Sequence, residues 1–142
     1  MPPAEFASGM AEVVKHGLLA NEALLERVEN GDWRLRPDNQ SLLSNLHALV
    51  TDAIQVKRDV VQQDPFEQGI RATLNLGHTF GHAVEQVSGY TVRHGEGVAM
   101  GLVAAANLSA RLEACDPALQ GRIEQVLENV GLPTRLPLSL RP

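Results

Sequence analysis

The chain has 142 residues, which is enough for one domain with a hydrophobic core and too few for two ordinary domains. Its formal net charge of -5 and its aromatic fraction of 4% argue against a polyanionic partner and against a base-stacking surface, so we expect no nucleic-acid binding. Because Cys115 is the only cysteine, a disulfide framework and a thiolate metal cluster are excluded.

The N-terminal residues lack the basic segment and following apolar segment of a secretory signal. The longest apolar stretch, residues 97–108, is too short to span a bilayer and is interrupted by Asn107. We therefore expect a cytoplasmic protein without membrane contact.

Hydrophobic residues recur at helical spacing in six stretches. The predicted helices cover residues 5–20, 21–30, 41–63, 78–88, 95–114 and 117–130. The fifth stretch is apolar on most faces, which predicts a helix buried nearly all round. Residues 31–40 are rich in turn formers and predict a loop. We find no strand pattern and no glycine-rich dinucleotide loop, so the sequence predicts one all-α domain over residues 1–142.

The first helix carries Ser8, Glu12 and Lys15 on one side, away from its apolar face. We interpret them from spacing alone as a solvent-exposed strip with a Glu12–Lys15 ion pair.

The third helix has an apolar stripe, and Lys57 falls in phase with it. The members of the stripe are Leu42, Leu43, Leu46, Leu49, Val50, Ala53, Ile54, Val60 and Val61. Two interpretations of Lys57 stay open. Its stem covers apolar surface while its ammonium reaches solvent, or it points into a cleft and meets an anion.

Three of the five histidines lie within residues 71–96. A helix would place His78 and His82 on one face, where both could address a single metal ion. That spacing is a weak signal by itself. His94, with Glu96 two residues later, strengthens it, because open catalytic zinc sites use three histidines or two histidines and a carboxylate.

Three cationic side chains are candidates for binding an anionic substrate beside such a metal site. Lys15, Lys57 and Arg71 could hold a carboxylate or a phosphate. The residues themselves therefore indicate a metal site beside a small anionic substrate.

The histidine helix contains Gly77 and Gly81 at or near its start. Each glycine lowers helix stability by about 1 kcal/mol relative to alanine. Their presence predicts that a neighbouring helix or a ligand approaches the backbone closely here.

Two stretches resemble the 3-dehydroquinate synthase family: ASGMAEVVKHG at residues 7–17, and RATLNLGHTFGHAVE at residues 71–85 followed by HGEGVAMG. The resemblance covers about residues 2–133. It implies the all-α C-terminal domain of that family, which in the whole enzyme accompanies an N-terminal α/β NAD-binding domain and forms a homodimer. The chain is similar to the C-terminal domain only, so we expect it to be inactive or nearly so alone.

The resemblance also implies roles for individual residues. Glu12, His78 and His94 would bind a catalytic zinc or cobalt(II) ion, and His82 would lie near the substrate instead of binding the metal.

The remaining implied roles concern the substrate. Lys57 and Arg71 would bind its carboxylate, whereas Asn75 and Lys15 would contact its hydroxyls or phosphate. His82, Lys15 and Asn75 are the expected catalytic side chains beyond the metal ligands.

The family converts 3-deoxy-D-arabino-heptulosonate 7-phosphate into 3-dehydroquinate and phosphate in the shikimate pathway of aromatic amino acid biosynthesis. NAD oxidises the C5 hydroxyl, phosphate is eliminated, and reduction, ring opening and an aldol closure follow. Two alternatives stay open: a related sugar-phosphate cyclase of the 2-deoxy-scyllo-inosose synthase type, or a non-catalytic helical module.

Overall fold

The computed structural model describes residues 2–33 and 40–140. Those residues form six α-helices and two short 3-10 segments and contain no strand, which confirms the all-α prediction. The helices are α1 (Pro3–Ala20), α2 (Glu22–Asn30), α3 (Gln40–Gln63), α4 (His78–Val87), α5 (His94–Arg111) and α6 (Ala118–Asn129), and the 3-10 segments are Ile70–Asn75 and Leu138–Leu140. Most of the loop predicted over residues 31–40 lies outside the described residues. Across the described ranges, no helix combines the length and apolarity needed to cross a membrane.

Local capping sets the ends of two helices. The Asn21 side chain accepts a hydrogen bond from the Leu24 amide at 3.0 Å, so it caps α2 as the sequence predicts. The Glu96 side chain accepts from the Arg93 amide at 2.9 Å and caps the first turn of α5. Helix α5 therefore begins at His94 itself, one residue earlier than predicted.

Helix α5 is the central helix and packs against α1, α4 and α6. Its buried residues are Gly95, every residue from Gly97 to Val103, and Ala106, whereas Leu108 and Leu112 are exposed. The prediction of burial nearly all round is confirmed for the first part of the helix only. Fully buried side chains of α1, α2 and α6 complete the core; they include Met10, Val14, Leu24, Leu25 and Leu127.

Helix α3 packs on α1 through part of the predicted stripe, and the prediction is confirmed for Leu42, Leu49, Ala53 and Val60. Its buried side chains include Leu42, Leu49, Ala53, Val56 and Val60. By contrast Leu43, Val50 and Ile54 are 75%, 40% and 61% exposed, so the predicted phase of the stripe was wrong for them. Apolar residues cover more of the surface of α3 than its packing against α1, α2 and the 3-10 segment Ile70–Asn75 buries.

Helices α4 and α5 cross antiparallel with glycine facing glycine. A Cβ atom built on Gly81 would lie 3.0 Å from the carbonyl group of Gly97, and one on Gly101 would overlap the carbonyl oxygen of Gly77. Gly77 also has φ = 78°, in the left-handed region that favours glycine. The predicted close approach to Gly77 and Gly81 is thus made by the backbone of α5.

We predict that Gly101→Ala lowers the free energy of unfolding by at least about 2 kcal/mol, because the new methyl group would force α4 and α5 apart. Gly121→Ala in α6 is the matched control, since a Cβ there meets no atom within 4 Å. The control should be neutral or stabilising by up to about 1 kcal/mol. Urea unfolding of both variants checks this, and equal midpoints would contradict it.

Candidate metal centre and cleft

Three helices bring the predicted metal ligands together. Helix α1 crosses the start of α5 where the Gly95 amide donates a 3.0 Å hydrogen bond to the Ser8 hydroxyl. Glu12 lies one turn after Ser8 on the same face of α1, so its side chain points toward His94. His78 is the first residue of α4 and enters the same space from the other side.

The donor atoms of Glu12, His78 and His94 all lie within 4.8 Å of one another. Glu12 Oε1 is 3.6 Å from His78 Nε2, and the ring centroids of His78 and His94 are 5.1 Å apart. Zinc bonds of about 2.0 to 2.2 Å in a tetrahedron would separate such donors by roughly 3.3 Å. The three side chains therefore need only a small inward movement to hold one ion.

One oxygen of Glu12 fits a cation especially well. Oε1 is shielded from solvent and has no hydrogen-bond partner among the described residues. The other oxygen, Oε2, accepts a 2.7 Å hydrogen bond from Lys15 Nζ. A buried carboxylate oxygen without a partner is costly, and a bound metal ion would remove that cost.

The protonation states also suit a metal site. Burial raises the pKa of Glu12, but the Lys15 hydrogen bond and charge outweigh it and leave the pKa below its ordinary value. Burial lowers the pKa of His78, even though its hydrogen bond to the Leu76 carbonyl acts in the opposite direction. An ionised carboxylate and a neutral imidazole are the forms that bind metals.

A cleft of about 360 Å³ opens beside these ligands. The described residues that line it are Glu12, Lys15, His16, Lys57, Glu67, Arg71, Leu74, Asn75, His78 and His94. It includes every predicted site residue except His82. Two carboxylates face three cationic side chains, so the cleft can attract an anion although the whole chain is negative.

His82 lies beside the cleft and is exposed. Its ring centroid is 5.4 Å from that of His78 and 5.9 Å from that of His94. The three histidine rings therefore lie together, but the Glu12 carboxylate groups with His78 and His94 and not with His82.

The cationic side chains of the cleft and the Asn75 amide differ in their exposure and in their hydrogen-bond partners. Lys15 is only 3% exposed, so the exposed-strip interpretation was wrong for it, although its ion pair with Glu12 is present. Arg71 Nη1 donates to the Pro65 carbonyl at 2.9 Å, and Asn75 Nδ2 lies 3.4 Å from Glu67 Oε1. Lys57 is exposed and lines both this cleft and an apolar groove beside Val50 and Ile54, so both interpretations of its position stay open.

Glu85 is a neighbour of the site that the sequence analysis missed. Its Oε1 lies 2.9 Å from His94 Nδ1, and its donor atom groups with those of His82 and His94 within 4.8 Å. The available signal was spacing, because Glu85 follows His82 by three residues and His78 by seven on one helical face. Glu96, which strengthened the sequence signal, instead caps α5.

His16 is a second missed residue, and it lines the cleft while only 5% exposed. Neither ring nitrogen has a partner among the described residues. Burial, with smaller contributions from the charges of Lys15 and Lys57, lowers the pKa of His16 to about 4. His16 is therefore a neutral imidazole whose donor and acceptor are both available.

We predict that His16 makes folding stability pH-dependent. Its pKa is depressed in the folded chain, so below its ordinary pKa of 6.5 the unfolded chain binds a proton that the folded chain does not. The free energy of unfolding is therefore unaffected by protonation of His16 above pH 6.5. It falls by up to about 3 kcal/mol as the pH falls from 6.5 toward about 4.

Urea unfolding of the wild type and His16→Gln at several pH values checks this. Relative to the variant, the wild type should lose stability across that window. A stability difference that stays constant with pH would contradict the prediction.

Comparison with known proteins identifies the family. Residues 9–141 match the family model described as 3-dehydroquinate synthase C-terminal. Curated 3-dehydroquinate synthases of Rippkaea orientalis and a Synechococcus species are 42% and 45% identical over 99% and 96% of the chain. That of Syntrophotalea carbinolica is 44% identical over 94%. The chain spans 36–38% of the length of these relatives. The chain therefore belongs to the 3-dehydroquinate synthase C-terminal family.

Proposed function

We propose that this chain is the metal- and substrate-binding domain of a 3-dehydroquinate synthase, acting on 3-deoxy-D-arabino-heptulosonate 7-phosphate to give 3-dehydroquinate and phosphate. The observation that carries the proposal is the approach of Glu12, His78 and His94 beside a cleft lined by cations. Family membership and the names of the relatives support it.

Glu12, His78 and His94 would hold a zinc or cobalt(II) ion, and the orphaned Glu12 Oε1 supports that assignment. Such an ion acts as a Lewis acid on substrate hydroxyl oxygens. Lys15 keeps the Glu12 carboxylate ionised and directs Oε1 toward the histidines by holding Oε2.

The other polar side chains of the cleft bind and orient the substrate. Lys57 and Arg71 hold the substrate carboxylate, and a guanidinium can do so through two parallel hydrogen bonds. Asn75 and His82 contact hydroxyl or phosphate oxygens. His82 does so with a ring nitrogen that can accept or donate a proton. Binding both anionic ends of one substrate fixes its reacting carbons in position.

Hydride transfer in this proposal is supplied by NAD on a separate N-terminal domain of the same enzyme. The described residues contain helices and no strand, whereas dinucleotides bind in the Rossmann manner at a strand–helix turn. The chain would thus provide the metal, the anion-binding groups and the proton-transferring groups, and the partner domain the redox group. Homodimer formation and a cytoplasmic location are parts of the same proposal.

The metal ligands are tested by zinc affinity. Glu12→Gln and His94→Ala should each weaken zinc binding by more than roughly 100-fold, beyond what loss of an outer-shell partner usually causes. His47→Ala, which removes an exposed imidazole of α3, is the matched control and should bind zinc as the wild type does. Competition against a chromophoric chelator gives the affinities. Unchanged affinity in His94→Ala would contradict the ligand assignment.

The carboxylate-binding role is tested by comparing two ligands. Arg71→Gln should weaken binding of 3-deoxy-D-arabino-heptulosonate 7-phosphate by roughly 10- to 100-fold, because a charged hydrogen bond contributes about 1.5 to 3 kcal/mol. Sedoheptulose 7-phosphate has no carboxylate, so Arg71→Gln should weaken its binding by at most about threefold.

Calorimetric titration of the zinc-loaded chain measures both affinities. Arg58→Gln is the matched control, since Arg58 is exposed on α3 and pairs with Asp59. Equal losses for the two ligands would favour the related sugar-phosphate cyclases over dehydroquinate synthase.

A further inference from the structure

We propose that Glu85 is a positioning residue of the metal centre: its carboxylate accepts a hydrogen bond from His94 Nδ1–H and so directs His94 Nε2 toward the ion. The proposal rests on the metal site proposed above. It concerns a residue of α4 that is not among the metal ligands or substrate contacts.

The hydrogen bond between Glu85 and His94 is the first observation. Glu85 Oε1 lies 2.9 Å from His94 Nδ1, and the Glu85 side chain is 15% exposed whereas that of His94 is 49% exposed. His94 is the first residue of α5, and the residues that precede it are not helical. A half-exposed imidazole there needs an anchor to keep one orientation.

The chemistry of the two groups fixes which nitrogen carries the proton. An ionised carboxylate only accepts hydrogen bonds, so His94 Nδ1 must be the donor and the lone pair of a neutral ring lies on Nε2. Metal-binding histidines commonly donate their other nitrogen to a carboxylate or a carbonyl in this way.

His78 shows the same arrangement with a different acceptor. Its Nδ1 lies 3.2 Å from the Leu76 carbonyl oxygen, which can only accept. The free nitrogen, Nε2, is the one that lies 3.6 Å from Glu12 Oε1. The two histidines would therefore bind the ion through equivalent nitrogens, each held by an acceptor behind it.

The close crossing of α4 and α5 at their glycines places Glu85 within hydrogen-bond distance of His94. The contacts Gly77 with Gly101 and Gly81 with Gly97 set an antiparallel register that brings the next turn of α4 to the start of α5. A Cβ atom on Gly97 would lie 3.2 Å from Glu85 Oε1 and 3.3 Å from its Cγ. Glycine at position 97 thus leaves the space in which the Glu85 side chain lies.

Glu85 could alternatively be a metal ligand, since its donor atom groups with those of His82 and His94 within 4.8 Å. In that arrangement His94 would use Nδ1, the nitrogen now facing Glu85, and Glu12 would play no part. An amide is an adequate hydrogen-bond acceptor but a poor zinc ligand, so glutamine at position 85 separates the two roles.

The test measures zinc affinity by chelator competition in the wild type and four variants. Glu85→Ala should weaken zinc binding by roughly 10- to 100-fold, the usual effect of losing an outer-shell partner. Glu85→Gln should recover most of that loss. Gln86→Ala, which shortens the next and exposed residue of α4, is the control and should match the wild type. Glu12→Gln tests whether the ion is bound at Glu12, because the variant should lose zinc binding only in that case.

A metal-free measurement separates this proposal from the metal site. Nitrogen NMR of His94 at about pH 8.5, where an ordinary imidazole is neutral, should show the Nδ1–H form in the wild type and a mixture in Glu85→Ala. Predominance of the Nε2–H form in the wild type would overturn the role of Glu85 whatever the zinc affinities are.

The affinities overturn the proposal in three other ways. If Glu85→Ala binds zinc like Gln86→Ala while Glu12→Gln does not bind, the metal site stands and the role of Glu85 is wrong. If Glu85→Gln loses binding and Glu12→Gln keeps it, the ion lies with His82, and both proposals fail. If the wild type binds no zinc, the metal site fails and the positioning role fails with it.

Discussion

The close crossing of α4 and α5 is the constraint on which the site depends. Glycine faces glycine at two successive turns, so the two backbones approach more closely than side chains would permit. His78 begins α4 and His94 begins α5, so the antiparallel register places them toward opposite ends of the crossing. Their side chains reach toward each other, and the ring centroids lie 5.1 Å apart. The loss of helix propensity at these glycines is thus linked to the geometry of the histidines.

A second crossing adds the carboxylate. Ser8 of α1 accepts a hydrogen bond from the Gly95 amide, next to His94, and Glu12 follows one helical turn later. Lys15 then occupies one oxygen of Glu12 and leaves the other facing His78 without a partner. Because these groups are buried or half-buried, their charges and protonation states depend on one another. The proposed metal ligands also form part of the wall of the cleft that Lys15, Lys57 and Arg71 line.

Helical periodicity and capping predicted the six helices and nearly all their ends, because these signals are local. The buried face of α3 was not predictable in the same way, since Ile54 and Val56 are equally apolar and only tertiary packing selects between them. Spacing grouped His78 with His82, and family resemblance was needed to add Glu12, which lies 66 residues earlier in the chain. The burial of Lys15 and the contact between Glu85 and His94 arise from helix crossings that no local pattern encodes.

The most direct test of the account is anomalous diffraction at the zinc edge from crystals of the zinc-loaded chain. We predict one strong peak within bonding distance of Glu12 Oε1, His78 Nε2 and His94 Nε2, about 2.0 to 2.2 Å from each. A peak bound instead by His82, Glu85 and His94 would contradict the proposed metal centre and the role assigned to Glu12.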